Sequence, residues 1–133
     1  MVVPYVFDDG GREAAGFRGE AGDCVTRAIA IATGRDYQEV YDALFAMARK
    51  TPRDGVPRAV YGKYLAEAGW EWTATMQIGS GCRVHLRPDE LPEGRIIVRL
   101  TRHVCAVVDG VVHDTSPCDR GGTRCVYGYW KRP

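Results

Sequence analysis

Three residues in this chain are of the types that together perform nucleophilic catalysis: Cys24, His103 and Asp114. A thiol attacks a carbonyl only as the thiolate, so it needs a neighbour that takes its proton and surroundings that favour the anion. Cys24 opens the run Val25-Thr26-Arg27-Ala28-Ile29-Ala30-Ile31-Ala32-Thr33, which stops at Gly34. That run predicts a short helix with Asp23 as N-cap and Gly34 as C-terminal glycine. Its second half is apolar on every side, as in a helix buried at the centre of a domain. In the first turn of such a helix, unpaired N–H groups and the positive end of the dipole both lower a thiol pKa.

The other two residues are connected by strand register. Val104-Cys105-Ala106-Val107-Val108, Asp109-Gly110 and Val111-Val112 form a hairpin pattern, because Asp-Gly supplies the positive φ angles of a two-residue turn. With that turn, Val108 lies opposite Val111, Val107 opposite Val112, Ala106 opposite His113 and Cys105 opposite Asp114. Alternation then places His103, Cys105 and Val107 on one face together with Val112, Asp114 and Ser116. His103 and Asp114 are diagonal neighbours, ~7–8 Å apart at the backbone, a gap their side chains can close. His113 falls on the other face. An imidazole held by a carboxylate has a fixed tautomer and raised basicity, which makes His103 the general base and Asp114 the residue that orients it.

The elements that must position these groups divide the chain in two. Val2 to Phe7 predicts a short strand, and Asp8 to Gly22 a long surface loop that delivers the chain to Cys24. Asp36 and Glu39 resemble a capping box for a second helix over about 36–50, carrying Val40, Tyr41, Leu44, Phe45 and Ala48 at helical spacing. Thr51 to Gly55 breaks it, and Pro57 opens a third helix that Gly69 ends. Beyond Gly69 the pattern turns to strands, clearest at Ile96 to Leu100 and ending at Tyr127 to Trp130. The expected architecture is α+β, with a buried central helix packed on a mainly antiparallel sheet and the site in the groove between them.

With 133 residues, one domain is expected over 1–133. Eighteen basic and seventeen acidic residues leave a net charge of +1, which provides no global field for nucleic acid or an anionic membrane. The N-terminal residues lack a signal-peptide layout and no apolar run is long enough for a span, so a cytoplasmic location is the expectation. Five cysteines, at 24, 82, 105, 118 and 125, form an odd, scattered set that argues against a disulfide framework. Cys105, mid-strand between apolar neighbours, reads as core.

Asp23-Cys24 opening a buried helix, then His103 before a valine-rich strand, then Asp114 on the next strand resembles the papain-like cysteine peptidases. The nearest variety is the bacteriocin-processing leader peptidases, and Arg102 to Thr115 also looks like small bacterial or phage proteins of that architecture. The resemblance implies a cysteine-dependent hydrolase or acyl transferase, a probe-ready thiol at Cys24, a peptide or other acyl or amide substrate, and neither cofactor nor metal. The family places a Gln six residues before the cysteine, where this chain has Arg18. The chain has no Asn, and its Gln residues are Gln38 and Gln77. The oxyanion would then be met by the Cys24 N–H with Arg18 or Gln77. The family's aromatic ring over the histidine would correspond to Trp130, for which a core position is the competing role.

Two other readings stand beside this one. The same scaffold can serve as a binding module without catalysis, its Cys24 an ordinary thiol. Cys82-x-x-His85 with Cys118 and Cys125, or with His113, offers a zinc-stabilised interaction domain, although the second pair has irregular spacing for a zinc knuckle.

Overall fold

The computed structural model describes residues 3–19, 21–77 and 79–133. Within them the chain forms three α-helices and one six-stranded sheet, a mixed α+β fold. Strand β1 (Tyr5–Phe7) precedes helices α1 (Cys24–Thr33), α2 (Tyr37–Ala48) and α3 (Arg58–Glu67). Strands β2 (Glu71–Ala74), β3 (Arg95–Leu100), β4 (His103–Val108), β5 (Val111–Asp114) and β6 (Gly128–Lys131) follow. The sheet order is β1-β5-β4-β3-β6-β2, antiparallel throughout except where β1 pairs parallel to β5.

The β4–β5 hairpin has the register its turn dictates, with Val108 opposite Val111, Val107 opposite Val112 and Ala106 opposite His113. Asp109 and Gly110 both have positive φ, 48° and 80°, as a two-residue turn of this kind requires. His113 points away from His103 and meets Asp8 at 3.3 Å.

Alternation along β3 and β4 gives the sheet two apolar faces, and each has its own core. Ile97, Val104, Ala106 and Trp130 face the helical layer, where Ala28, Ile29, Val40, Leu44 and Leu65 are buried. Ile96, Val98, Leu100, Cys105, Val107 and Val112 face the opposite way, beneath Leu86, Cys118 and Val126 of the long connections. Helix α1 is thus covered on all sides, which accounts for its apolar second half. Gly34 closes it in the left-handed conformation, φ 73°. Asp36 caps α2 as read, accepting the Glu39 N–H. No described helix is long and apolar enough to cross a membrane.

Several local expectations are corrected. Asp23 makes no side-chain cap for α1. Its carboxylate is buried and turned inward, where it pairs with Arg27 and with Arg12 at 3.0 Å and accepts the Tyr37 hydroxyl at 2.5 Å. Three polar partners hold that carboxylate better than one backbone N–H at a helix mouth. The loop from Asp8 is not all surface: turns fold it back, and Phe17 packs edge-on to Tyr37 with ring centroids 5.1 Å apart. Val2, at the start of the expected first strand, lies outside the described residues. The cysteines also depart from expectation, since Cys82 and Cys125 form a disulfide and leave Cys24, Cys105 and Cys118 free. A bridge between His85 and Cys125 sets the two segments side by side, a proximity that spacing along the chain does not encode. Disulfides are uncommon in reducing compartments, so this bond weighs against the cytoplasmic expectation.

Candidate active site

Cys24 is the first residue of α1, and His103 is the first residue of β4. Both line a cleft of about 580 Å³. Because Asp23 is drawn into its own buried network, the N–H groups in the first turn of α1 carry no side-chain cap. The Cys24 side chain is half-buried and shares the cleft lining with His103 and Val104.

His103 Nε2 lies 2.6 Å from Asp114 Oδ2, the diagonal contact that the hairpin register requires. Asp114 is buried, accepts the Thr115 N–H at 2.7 Å on its other oxygen, and is approached there by Arg27 at 3.5 Å. The carboxylate is therefore fixed on both sides. Since Arg27 also pairs with Asp23, a continuous polar chain runs from Tyr37 through Asp23, Arg27 and Asp114 to His103. With Nε2 engaged by Asp114, the ring offers Nδ1 to a thiol.

The electrostatics follow from these contacts. Burial opposes protonation of His103, but hydrogen bonds with Asp114, Cys118 and Cys24 outweigh it and raise its pKa to about 11. Burial also pushes the Cys24 thiol up, yet the hydrogen bond and charge of His103, the Val104 N–H and the Arg27 guanidinium bring it below the ordinary value. Asp114 behaves alike: burial raises it, and His103, Thr115 and Arg27 hold it below the usual carboxylate range. At neutral pH His103 is therefore an imidazolium beside the Asp114 carboxylate, and its charge favours the thiolate form of Cys24.

A second thiol shares the imidazolium. Cys118 is lowered by a hydrogen bond from Cys105, against burial, and then by His103, while Cys105 is raised by that same contact and by burial. Sequence reasoning considered Cys118 only for the zinc set and missed its place beside His103, because it lies in an irregular connection after β5, with no periodicity to place it. Cys118 is buried and, with His103, lines a separate cavity of about 520 Å³, whereas Cys24, half-buried at the mouth of α1, lines the cleft of about 580 Å³.

His103, Asp114 and Cys118 offer three metal-binding atoms within 4.8 Å of one another. The 2.6 Å between His103 and Asp114 is shorter than the ~3.3 Å separating two ligands of one tetrahedral zinc, so the pair is a hydrogen bond and not two metal ligands. The alternative zinc set fails, because Cys82 and Cys125 are consumed in their disulfide and His85 faces Glu90 at 3.1 Å.

Two further residues are not where the sequence put them, and Trp130 takes the core position read for it beside the ring-shielding role. Arg18 is exposed and outside the cleft, its carbonyl tied to Arg53 at 3.0 Å. Gln77 is exposed in a turn closed by Ser80, also outside the cleft. Trp130 is buried in the core against Trp72, ring centroids 5.4 Å apart, and does not line the cleft. In their place the cleft presents Tyr61, buried on α3, whose hydroxyl pKa is raised by burial and by the charge of Cys24 and lowered by Arg99 and Arg58. Burial keeps that hydroxyl protonated and able to donate. Comparison of the chain with protein-family models, with curated proteins and with solved structures finds no match.

Proposed function

We propose that the chain is a papain-like cysteine hydrolase or acyl transferase that works through an acyl-thioester on Cys24. The observation that carries this reading is the imidazole of His103, held by a buried carboxylate at 2.6 Å and lining the same cleft as the Cys24 thiol at the mouth of α1. The Cys24 thiolate attacks a carbonyl carbon, forming the C–S bond as the carbonyl electrons move onto oxygen. The first-turn N–H of Cys24 and the Tyr61 hydroxyl receive that oxyanion. His103, already protonated, gives its proton to the departing group as the carbon–heteroatom bond breaks, and so acts first as acid. It then takes a proton from water or another acceptor, which attacks the thioester and returns Cys24 as thiolate. Asp114 holds the ring in the tautomer and orientation both steps need.

A peptidyl vinyl sulfone tests the reading, with labelling located by peptide mass mapping. Cys24→Ala should lose the label, and His103→Ala should label Cys24 about 10²-fold or more slowly while keeping the wild-type circular dichroism. Equal labelling of Cys24 in wild type and His103→Ala would overturn the pairing. One observation favours a second reading, a binding module on the same scaffold: no Gln or Asn side chain lines the cleft to receive an oxyanion. That reading requires a Cys24 thiol of ordinary pKa and labelling indifferent to His103.

A further inference from the structure

The cleft beside Cys24 is far more basic than the chain around it. Among the described residues four arginines line it, Arg27, Arg58, Arg99 and Arg102, against one acid, the exposed Asp54. Arg27 is neutralised by Asp23 and Asp114. Among the described residues, the other three lie within ion-pair distance of no carboxylate. A net charge of +1 over 133 residues conceals this local concentration.

Two of the three are held in a way that keeps their donors free. The Arg58 guanidinium lies over the Trp72 ring, 4.7 Å from its centroid, and that of Arg99 lies over Tyr127 at 5.6 Å. Stacking on an aromatic face orients the planar group without consuming the N–H fork at its edge, the part that matches a carboxylate. Arg99 and Arg58 also both bear on Tyr61, which adjoins the thiol. Arg102 sits next to His103 in the β3–β4 turn, with φ +54°, a conformation uncommon for arginine. Three guanidiniums without a carboxylate partner among the described residues, two of them stacked on rings, thus line the cleft that Cys24 also lines.

We propose that the acyl compound this cleft accepts is acidic, a peptide with an Asp or Glu carboxylate that Arg58, Arg99 and Arg102 bind. The inference rests on the thiol chemistry proposed above and adds the substrate class. Carboxylate in a peptide is preferred to polynucleotide phosphate because the chemistry calls for an acyl carbon within reach of sulfur.

Three vinyl sulfone probes that differ in one residue, Glu, Gln or phosphoserine, test it through the second-order rate of Cys24 labelling. The Glu probe should label about tenfold faster than the Gln probe at low salt, and the ratio should fall towards one as salt is raised. In Arg58→Gln/Arg102→Gln, both exposed positions that put the fold at little risk, the ratio should fall at least threefold, and in Arg99→Gln likewise. Equal Glu and Gln rates in the wild type, with labelling still dependent on His103, would overturn the acidic subsite and leave the thiol chemistry standing. Labelling indifferent to His103 would instead remove the reading beneath it. A Glu preference that survives all three arginine substitutions would overturn the assignment to these residues. A phosphoserine rate more than tenfold above that of Glu would overturn the carboxylate in favour of a phosphate ligand.

Discussion

Replacing Asp114 by Asn removes the carboxylate charge behind His103 while keeping a group of the same shape that can still accept a hydrogen bond. The structure sets the size of the effect. With charge centres ~4 Å apart and an effective dielectric near 20, the attraction is about 4 kcal/mol, or about three pKa units. His103, held at about 11 in the native protein, should therefore titrate near 8 in Asp114→Asn, to the order of magnitude this treatment allows. Because the folded pKa of His103 is raised, its stabilising contribution is complete below the ordinary histidine range and is lost as pH rises through about 11. That of Asp114, whose folded pKa is lowered, is present above the ordinary carboxylate value and is lost as pH falls through the folded one. The stability gap between wild type and Asp114→Asn should accordingly be widest near neutrality and close at both extremes. The assay is a carbon-detected NMR titration of the His103 ring, assigned with His103→Ala, alongside urea unfolding at stepped pH. A wild-type ring that titrates near 6.5, or an Asp114→Asn ring that titrates where the wild type does, would refute the reasoning.

Reducing the Cys82–Cys125 disulfide, which closes a separation of 43 residues, should lower unfolding free energy by about 2–4 kcal/mol, as read by urea melts with and without reductant. Gly128→Ala should cost about 1–3 kcal/mol, because a Cβ at that strand position would lie 2.3 Å from the Trp72 ring, and a wild-type melting curve would contradict that packing. Cys118→Ser removes the second thiol that draws on His103, so the alkylation midpoint of Cys24 should move to lower pH, measured by mass mapping across a pH series.

The parts of the fold that were legible in the sequence are those set by local chemistry. Asp109-Gly110 fixed a turn, the turn fixed the register, and the register brought His103 to Asp114 and sent His113 to the opposite face. Gly34 ending α1 and Asp36 starting α2 were readable for the same reason. What was not legible depends on contacts between distant segments. Asp23 has the right type and place for a cap, and only the arrival of Arg12 and Tyr37 from elsewhere turns it into a buried anchor. Pairing of β6 between β3 and β2 determines that Trp130 meets Trp72 in the core and not the histidine. The same non-local packing gathers Arg58, Arg99 and Arg102 at one cleft, although they come from a helix, a strand and a turn, so overall charge gave no sign of a basic site.

The account depends on Cys24 being a thiolate because His103 is beside it. The most direct measurement is the rate of iodoacetamide alkylation at Cys24, resolved from the other thiols by mass mapping, as a function of pH in wild type and His103→Ala. The account predicts a wild-type midpoint below the ordinary thiol value of ~8.5 that returns to that value in His103→Ala. A wild-type midpoint already at the ordinary value, unmoved by loss of the histidine, would contradict it.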